Sequence, residues 1–107
     1  MPQIRYCVAA GGRQPFAEWF AHLEPVARAK VTRAIARLEQ RNFSNAKTVG
    51  EGVLEARIDF GPGYRVYFGR DGETLVILLT GGSKKRQQRD IETACACWQD
   101  YKRRRRR

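Results

Sequence analysis

Residues 53–79 read VLEARIDFGPGYRVYFGRDGETLVILL, and their periodicity decides the fold. Leu54, Ala56 and Ile58 alternate with Glu55, Arg57 and Asp59, the period of two that sends successive side chains to opposite faces of a sheet. Gly61-Pro62-Gly63 turns the chain, and Tyr64, Val66 and Phe68 alternate with Arg65 and Tyr67 in the next strand. Asp71-Gly72 marks a second tight hairpin turn. Leu75 to Leu79 is apolar without alternation, so both faces of this strand are expected to be covered, as in the centre of a sheet.

On the N-terminal side, residues 3–9 alternate Ile4, Tyr6 and Val8 against Gln3, Arg5 and Cys7, as a half-buried strand does, and Gly11-Gly12 ends it. Pro15 suits a first helical turn, with Phe16, Phe20 and Leu23 recurring on one face. Glu24-Pro25 interrupts that helix, because the residue before proline disfavours helical geometry. A second helix follows with Val31, Ile35 and Leu38 on one face, making a helical hairpin. On the C-terminal side Gly81-Gly82 closes the apolar strand. Ser83 is the expected N-cap of a last helix striped by Ile91, Ala94, Cys95 and Trp98, with Cys97 partly exposed. Trp19 and Trp98 read as packing residues. The expected order is β-α-α-β-β-β-α. It describes an α+β layer with the helical hairpin on one face of a mainly antiparallel sheet, a C-terminal helix, and the other sheet face left to polar side chains.

The 107 residues suit one domain, expected over 1–101. The chain has 21 Lys and Arg against 11 Asp and Glu, a net charge of +10 that attracts polyanions by counterion release. Six of these cations form the segment 102–107, expected to be a disordered, nonspecific polyanion contact; without it the body keeps a charge of about +4. Nucleic acid is the leading partner class. Cys7, Cys95 and Cys97 are too few for a disulfide framework and lack zinc or redox spacing, which fits a reducing cytoplasm. No charged leader with an apolar stretch and no run of membrane-spanning length is read, so neither secretion nor membrane association is expected.

If the hairpin register keeps like faces together, Glu55, Arg57, Arg65 and Tyr67 gather on one surface. Arginine forks match phosphate bidentately, and tyrosine supplies a stacking ring and a hydroxyl, a combination suited to a phosphate beside a base. A solvated strand face with Glu–Arg pairing fits the same spacing, and spacing does not separate the two. Lys84, Lys85 and Arg86 fall in the first turn of the expected last helix, where the macrodipole opposes each cation by roughly 0.3 to 1 kcal/mol. A bound anion would reverse that sign, and glycines at 81 and 82 would let the backbone approach it. Should the helix begin near Gln88 instead, the cations lie in a loop. His22, one position from core-facing Leu23, reads as a surface or interface residue. One histidine and a Cys-x-Cys pair make no metal constellation, no nucleophile–His–acid set is visible, and no cofactor is expected.

Residues 54–94, LEARIDFGPGYRVYFGRDGETLVILLTGGSKKRQQRDIETA, resemble the addiction-module killer proteins, a HigB-like branch of the RelE/ParE toxin superfamily. The resemblance rests on the Gly-Pro-Gly-Tyr-Arg-Val-Tyr-Phe turn and strand, the Leu-Leu-Thr-Gly-Gly-x-Lys junction, and Gln87 followed by Asp90-Ile91; PFAEWF and RLEQRN upstream are also similar. It implies a type II toxin held inactive by a cognate antitoxin, a helix-turn-helix protein. RelE-like members cleave mRNA, often in the ribosomal A site, whereas ParE-like relatives on the same scaffold poison DNA gyrase. Arg65 matches the phosphate-binding, catalytic arginine of the Gly-Tyr-Arg strand, and Arg57 lies near a position where RelE has lysine. Lys84 matches the Gly-Gly-x-Lys signature, while Lys85 and Arg86 fall in the basic segment that contributes an arginine in RelE. The C-terminal tyrosine of RelE has no match, Ile91 standing in that region, and Glu55 departs from RelE's lysine-rich face. The expected assignment is therefore Arg65, Arg57, Lys84 and Tyr67 for catalysis, with Lys85, Arg86, Gln87 and Glu55 contacting RNA. Metal-free cleavage also needs a base for the 2′-hydroxyl, and Tyr67, Glu55 or a pKa-shifted lysine all remain open. Three activities follow: a ribosome-associated mRNA endonuclease, a gyrase inhibitor, or a non-catalytic nucleic-acid-binding module.

Overall fold

Alternation in the two middle strands needs apolar partners for one side and a reason for charge on the other; the sheet supplies both. The computed structural model describes residues 2–105. Its elements are β1 (Gln3–Tyr6), a 3-10 turn (Ala10–Gly12), α1 (Pro15–Ala21), α2 (Pro25–Glu39), β2 (Ala46–Gly50), β3 (Val53–Ile58), β4 (Tyr64–Asp71), β5 (Leu75–Ser83), a second 3-10 turn (Lys84–Arg86) and α3 (Gln87–Arg105). The strands lie in the order β1-β5-β4-β3-β2, with β1 parallel to β5 and the other pairs antiparallel. This is the α+β arrangement expected, with β5 inside the sheet as its uninterrupted apolar run requires. β2 is an additional edge strand that its own sequence, Ala-Lys-Thr-Val-Gly, does not announce. It pairs along the free edge of β3 with an irregularity between Thr48 and Gly50.

One face of the sheet carries Ala56, Ile58, Val66, Phe68, Val76 and Leu78 against Phe16 of α1 and Val31, Ala34 and Leu38 of α2. Glu24 starts α2 by accepting a hydrogen bond from the Ala27 amide at 3.2 Å, with Pro25 in the first helical position, where its missing N–H costs nothing. The opposite face was expected to stay polar, and it does not. α3 lies across it, packing Ala94, Cys97 and Trp98 onto Cys7, Val53, Tyr67, Ile77 and Leu79. The cause lies in α3 itself, whose apolar stripe has no other surface to cover. The Trp98 ring sits directly over Gly52 and Gly69, where a Cβ would run into it. Two phase assignments change accordingly: Cys97 is buried and Cys95 half-buried, and in the first strand region Cys7 is buried while Tyr6 and Val8 are exposed.

The register between β4 and β5 slips between Tyr67 and Phe68, a bulge that leaves β5 one residue longer there. Below it, Ile77 and Leu79 face α3 while Val76 and Leu78 face the hairpin. Above it the parity reverses, so Gly81 lies under the Trp19 ring of α1 and Gly82 under Asp90 of α3.

A disordered tail was expected from residue 102, but α3 continues through Arg105; Arg106 and Arg107 lie outside the described residues. Cations in a last helical turn complement the macrodipole, and these also have partners. Arg103 and Arg104 reach Asp100 at 3.3 and 3.1 Å, and Arg105 reaches Asp71 at 3.0 Å. Asp71 further accepts the Tyr101 hydroxyl at 2.6 Å, tying α3 to the end of β4. Burial and that hydrogen bond push the Tyr101 phenol up to about 12. Because the folded value is raised, this contribution to stability is complete below the phenol's ordinary value near 10 and disappears as pH rises toward about 12. Wild type should therefore lose more stability than Tyr101→Phe across that alkaline window in urea titrations; parallel curves for the two would show that the contact is absent. Among the described residues no helix is long and apolar enough to cross a membrane.

Candidate active site

The register sets Glu55 opposite Tyr67 and Arg57 opposite Arg65, so the four side chains share a face as alternation implies. α3 converts that face into an interior. Glu55 and Tyr67 have no exposure and Arg65 only 6%, whereas the Arg57 side chain is half exposed. A carboxylate withdrawn from water requires partners, and Glu55 has three. Arg57 Nε donates to Oε1 at 3.0 Å and Gln87 Nε2 donates to Oε2 at 3.2 Å. Arg65 Nε stands 3.3 Å from Oε2, an ion pair without the alignment of a hydrogen bond. One carboxylate thus serves two guanidinium groups, leaving cationic surplus beside the exposed end of Arg57.

Lys84 joins this group through the β3–β4 turn. The Gly63 carbonyl accepts both the Lys84 amide at 3.0 Å and Arg65 Nη1 at 3.5 Å, so the backbone of Lys84 adjoins the arginine. Gly63 adopts φ +79, a conformation glycine takes without steric cost, and this aims its carbonyl at both donors. Lys84, Lys85 and Arg86 are exposed in the 3-10 turn, and α3 proper begins at Gln87. Ser83 makes no side-chain capping bond, contrary to expectation. The cations therefore precede the helix, and its first turn contains Asp90, the sign that the macrodipole favours. Arg57 and Arg65 thus meet on Glu55 at one end of the sheet, with Gln87 closing the cluster from α3 and the backbone of exposed Lys84 next to it. Lys85 and Arg86 stand beside it and make no hydrogen bond to Glu55. His22 lies elsewhere, on the exposed end of α1, with Nδ1 2.7 Å from the Glu18 carbonyl.

Asp90 is the member that sequence reading passed over. Its carboxylate occupies the space above Gly82, which pairs with Arg65 across the sheet. Burial raises its pKa, opposed by Arg86 and Arg89. The available signal was spacing: Gln87 and Asp90 stand three residues apart on one helix face, and Gln87 reaches Glu55. Among the described residues no three His, Cys, Asp or Glu side chains are grouped to hold a metal ion.

Burial, reinforced by the Glu55 carboxylate and opposed by Arg65, pushes the Tyr67 phenol well above its ordinary range. It is neutral at physiological pH and unsuited to act as a base there. Among the described residues its buried hydroxyl has no aligned hydrogen-bond partner, the Glu55 carboxylate beside it being held by Arg57 and Gln87, an arrangement that costs about 1 to 3 kcal/mol. Tyr67→Phe is accordingly expected to raise stability by about 1 kcal/mol in urea denaturation. A loss of stability instead would mean that the hydroxyl is already satisfied.

A five-stranded, mostly antiparallel sheet with two N-terminal helices on one face and a C-terminal helix on the other fits the RelE/ParE-like arrangement. The profile of the family described as "Phage derived protein Gp49-like (DUF891)" matches residues 18–96, and the chain belongs to this family, one of RelE/HigB-like addiction-module toxins. Over 80 residues the chain is also 45% identical to an uncharacterized protein of Haemophilus influenzae (strain ATCC 51907 / DSM 11121 / KW20 / Rd), spanning 74% of this chain and 81% of that protein. The span matched by the family contains Glu55, Arg57, Arg65, Tyr67, Lys84, Gln87 and Asp90.

Proposed function

We propose that this protein is the toxin of a type II toxin–antitoxin pair of the HigB-like branch and acts in the cytoplasm as a metal-independent endoribonuclease on mRNA, with the ribosome presenting the substrate. The observation that carries this reading is the pairing of Arg57 and Arg65 on one buried carboxylate, with the Lys84 backbone held beside Arg65 on the Gly63 carbonyl. Cleavage of RNA without metal begins when the 2′-oxygen bonds to the adjacent phosphorus. The bond to the 5′-oxygen then breaks, leaving a 2′,3′-cyclic phosphate and a free 5′-hydroxyl. The phosphorane between these states carries extra negative charge, which preorganised cations stabilise. Arg65, held by Glu55 and Gly63, supplies fixed positive charge, and half-exposed Arg57 and exposed Lys84 supply mobile ones.

Glu55 takes the 2′-hydroxyl proton in this scheme. Arg65 and Gln87 occupy its Oε2, while Oε1 is held by Arg57 alone. When Arg57 turns to a bound phosphate, Oε1 is released as a desolvated base at the moment the cation is needed elsewhere. Tyr67, buried and neutral beneath α3, lines the cluster without touching substrate, and the leaving 5′-oxygen takes its proton from Lys84 or solvent. Lys85 and Arg86 contact flanking phosphates. A helix-turn-helix antitoxin with acidic segments would neutralise such a surface.

Mapping transcript 5′ ends after brief induction, and repeating the digestion with purified protein with and without ribosomes, tests the proposal. Discrete new ends bearing 5′-hydroxyl groups, enriched within translated frames, are expected. Intact transcripts accompanied by stalled supercoiling would transfer the protein to the gyrase-directed class. Nucleic-acid binding without growth arrest would leave a non-catalytic module.

A further inference from the structure

Lys30, Arg33 and Arg37 stand on one face of α2 at spacings of three and four residues, all exposed. Among the described residues, none of the three has an ion-pair partner. Like charges at these spacings repel along a helix, so this row works against α2 unless something anionic lies beside it. What lies beside it is a groove of about 450 Å³ between α2 and the end of β3, lined by these three cations together with Arg57, Asp59 and Phe60. Four cations face one carboxylate there. Arg57 belongs both to this groove and to the Glu55 cluster, so groove and site are continuous. Lys30 Nζ lies 5.3 Å from the centroid of the half-buried Phe60 ring, which places a flat apolar surface among the charges.

We infer that this groove is the track for the RNA strand flanking the cleaved linkage, with Arg33 and Arg37 on successive backbone phosphates and Phe60 beneath a base. A concave row of cations without ion-pair partners leading away from a phosphate site, with an aromatic ring in its lining, has the composition of single-strand recognition: charge follows the backbone and a ring accepts any base. The inference rests on the endonuclease reading for the identity of the strand. The groove's role as a polyanion track can be measured by binding alone.

The test uses the full chain with Arg33→Gln/Arg37→Gln, both exposed positions, and the charge-retaining Arg33→Lys/Arg37→Lys. A short single-stranded RNA of mixed sequence is the probe, with binding measured over a range of salt concentrations. The glutamine pair should weaken binding on the order of tenfold and lower the slope of log K against log salt by about 1.4, two contacts at about 0.7 each. The lysine pair should retain most of both. In cleavage assays the glutamine pair should raise KM with kcat little changed, because the groove does not touch the reacting atoms. RNA affinity and salt slope unchanged in the glutamine pair would overturn the inference. The same result with weakened capture of a polyglutamate peptide would reassign the groove to an acidic protein segment. If wild type cleaves no RNA under any condition, the endonuclease reading fails, while the salt slopes still decide whether the groove holds a polyanion.

Discussion

Arg65→Ala is expected to reduce RNA cleavage by about 10²- to 10³-fold, the range found when one preorganised donor to a transition-state oxyanion is removed. The effect on folding should also be large, because Arg65 and Glu55 are both withdrawn from solvent. Removing one partner of a buried pair costs about 3 to 5 kcal/mol, chiefly by stranding the other charge. Arg57 and Gln87 would remain on Glu55 and soften that penalty. The folding part is read separately with Arg65→Ala/Glu55→Gln, in which the stranded carboxylate becomes a neutral amide. The double variant should recover most of the lost stability; since it also lacks the base, cleavage is compared in the single Arg65 variants. Arg65→Lys should fold, keep the charge and still cleave poorly, since an ammonium lacks the planar fork that spans Glu55 and a phosphate together. A well-folded Arg65→Ala protein that still arrests growth and still cuts transcripts would remove arginine from the mechanism.

Trp98→Ala should be the most damaging substitution away from the site, at about 3 to 5 kcal/mol by urea denaturation. The indole is 6% exposed and stacks on Tyr101 with ring centroids 5.4 Å apart. It rests on Gly52 and Gly69, neither of which has a side chain that could move into the vacated volume. The spread among large-to-small substitutions follows how far the surroundings can collapse, and this floor cannot. Against a total stability of about 5 to 15 kcal/mol, the variant would lie near the unfolding threshold. Loosening α3 would also withdraw Gln87 and Asp90 from the cluster, so activity should fall with stability. A loss below about 1 kcal/mol would mean that α3 is not seated on the sheet as described.

The Glu55, Arg57, Arg65 and Tyr67 face was legible because everything that sets it is local. Period-two alternation and one tight turn align two adjacent strands, and a slip of one residue would turn an apolar set outward. Its burial was not legible, since the cover comes from α3, far along the chain and chosen by where an apolar stripe finds surface. The exchange of Cys95 and Cys97 has a related origin: neighbouring residues on a helix point about 100° apart, so a small error in phase swaps core for solvent. β2 escaped because a sheet edge orders a segment whose own sequence carries little pattern. Asp90 was visible as part of a motif but lacked a stated partner until Gly82 was found beneath it. The 3-10 turn at Lys84–Arg86 resolves the anomaly of cations in a first helical turn, because the helix starts three residues later.

The slip between β4 and β5 acts as a frameshift written in three dimensions. Counting outward from Leu79 without it, odd positions would continue toward α3 and even positions toward the helical hairpin, so Gly82 would look away from Asp90. With it, the two glycines change sides: the first makes room for an indole and the second for a carboxylate. Pairing β5 regularly with its length unchanged would leave the apolar layers beneath almost untouched while turning Gly82 and the strand end before Lys84 to the other face, whereas removing the extra Leu79 as well would restore the present sides. Relatives that keep this chemistry should thus either keep the slip or lose it together with the extra residue, and never lose one without the other.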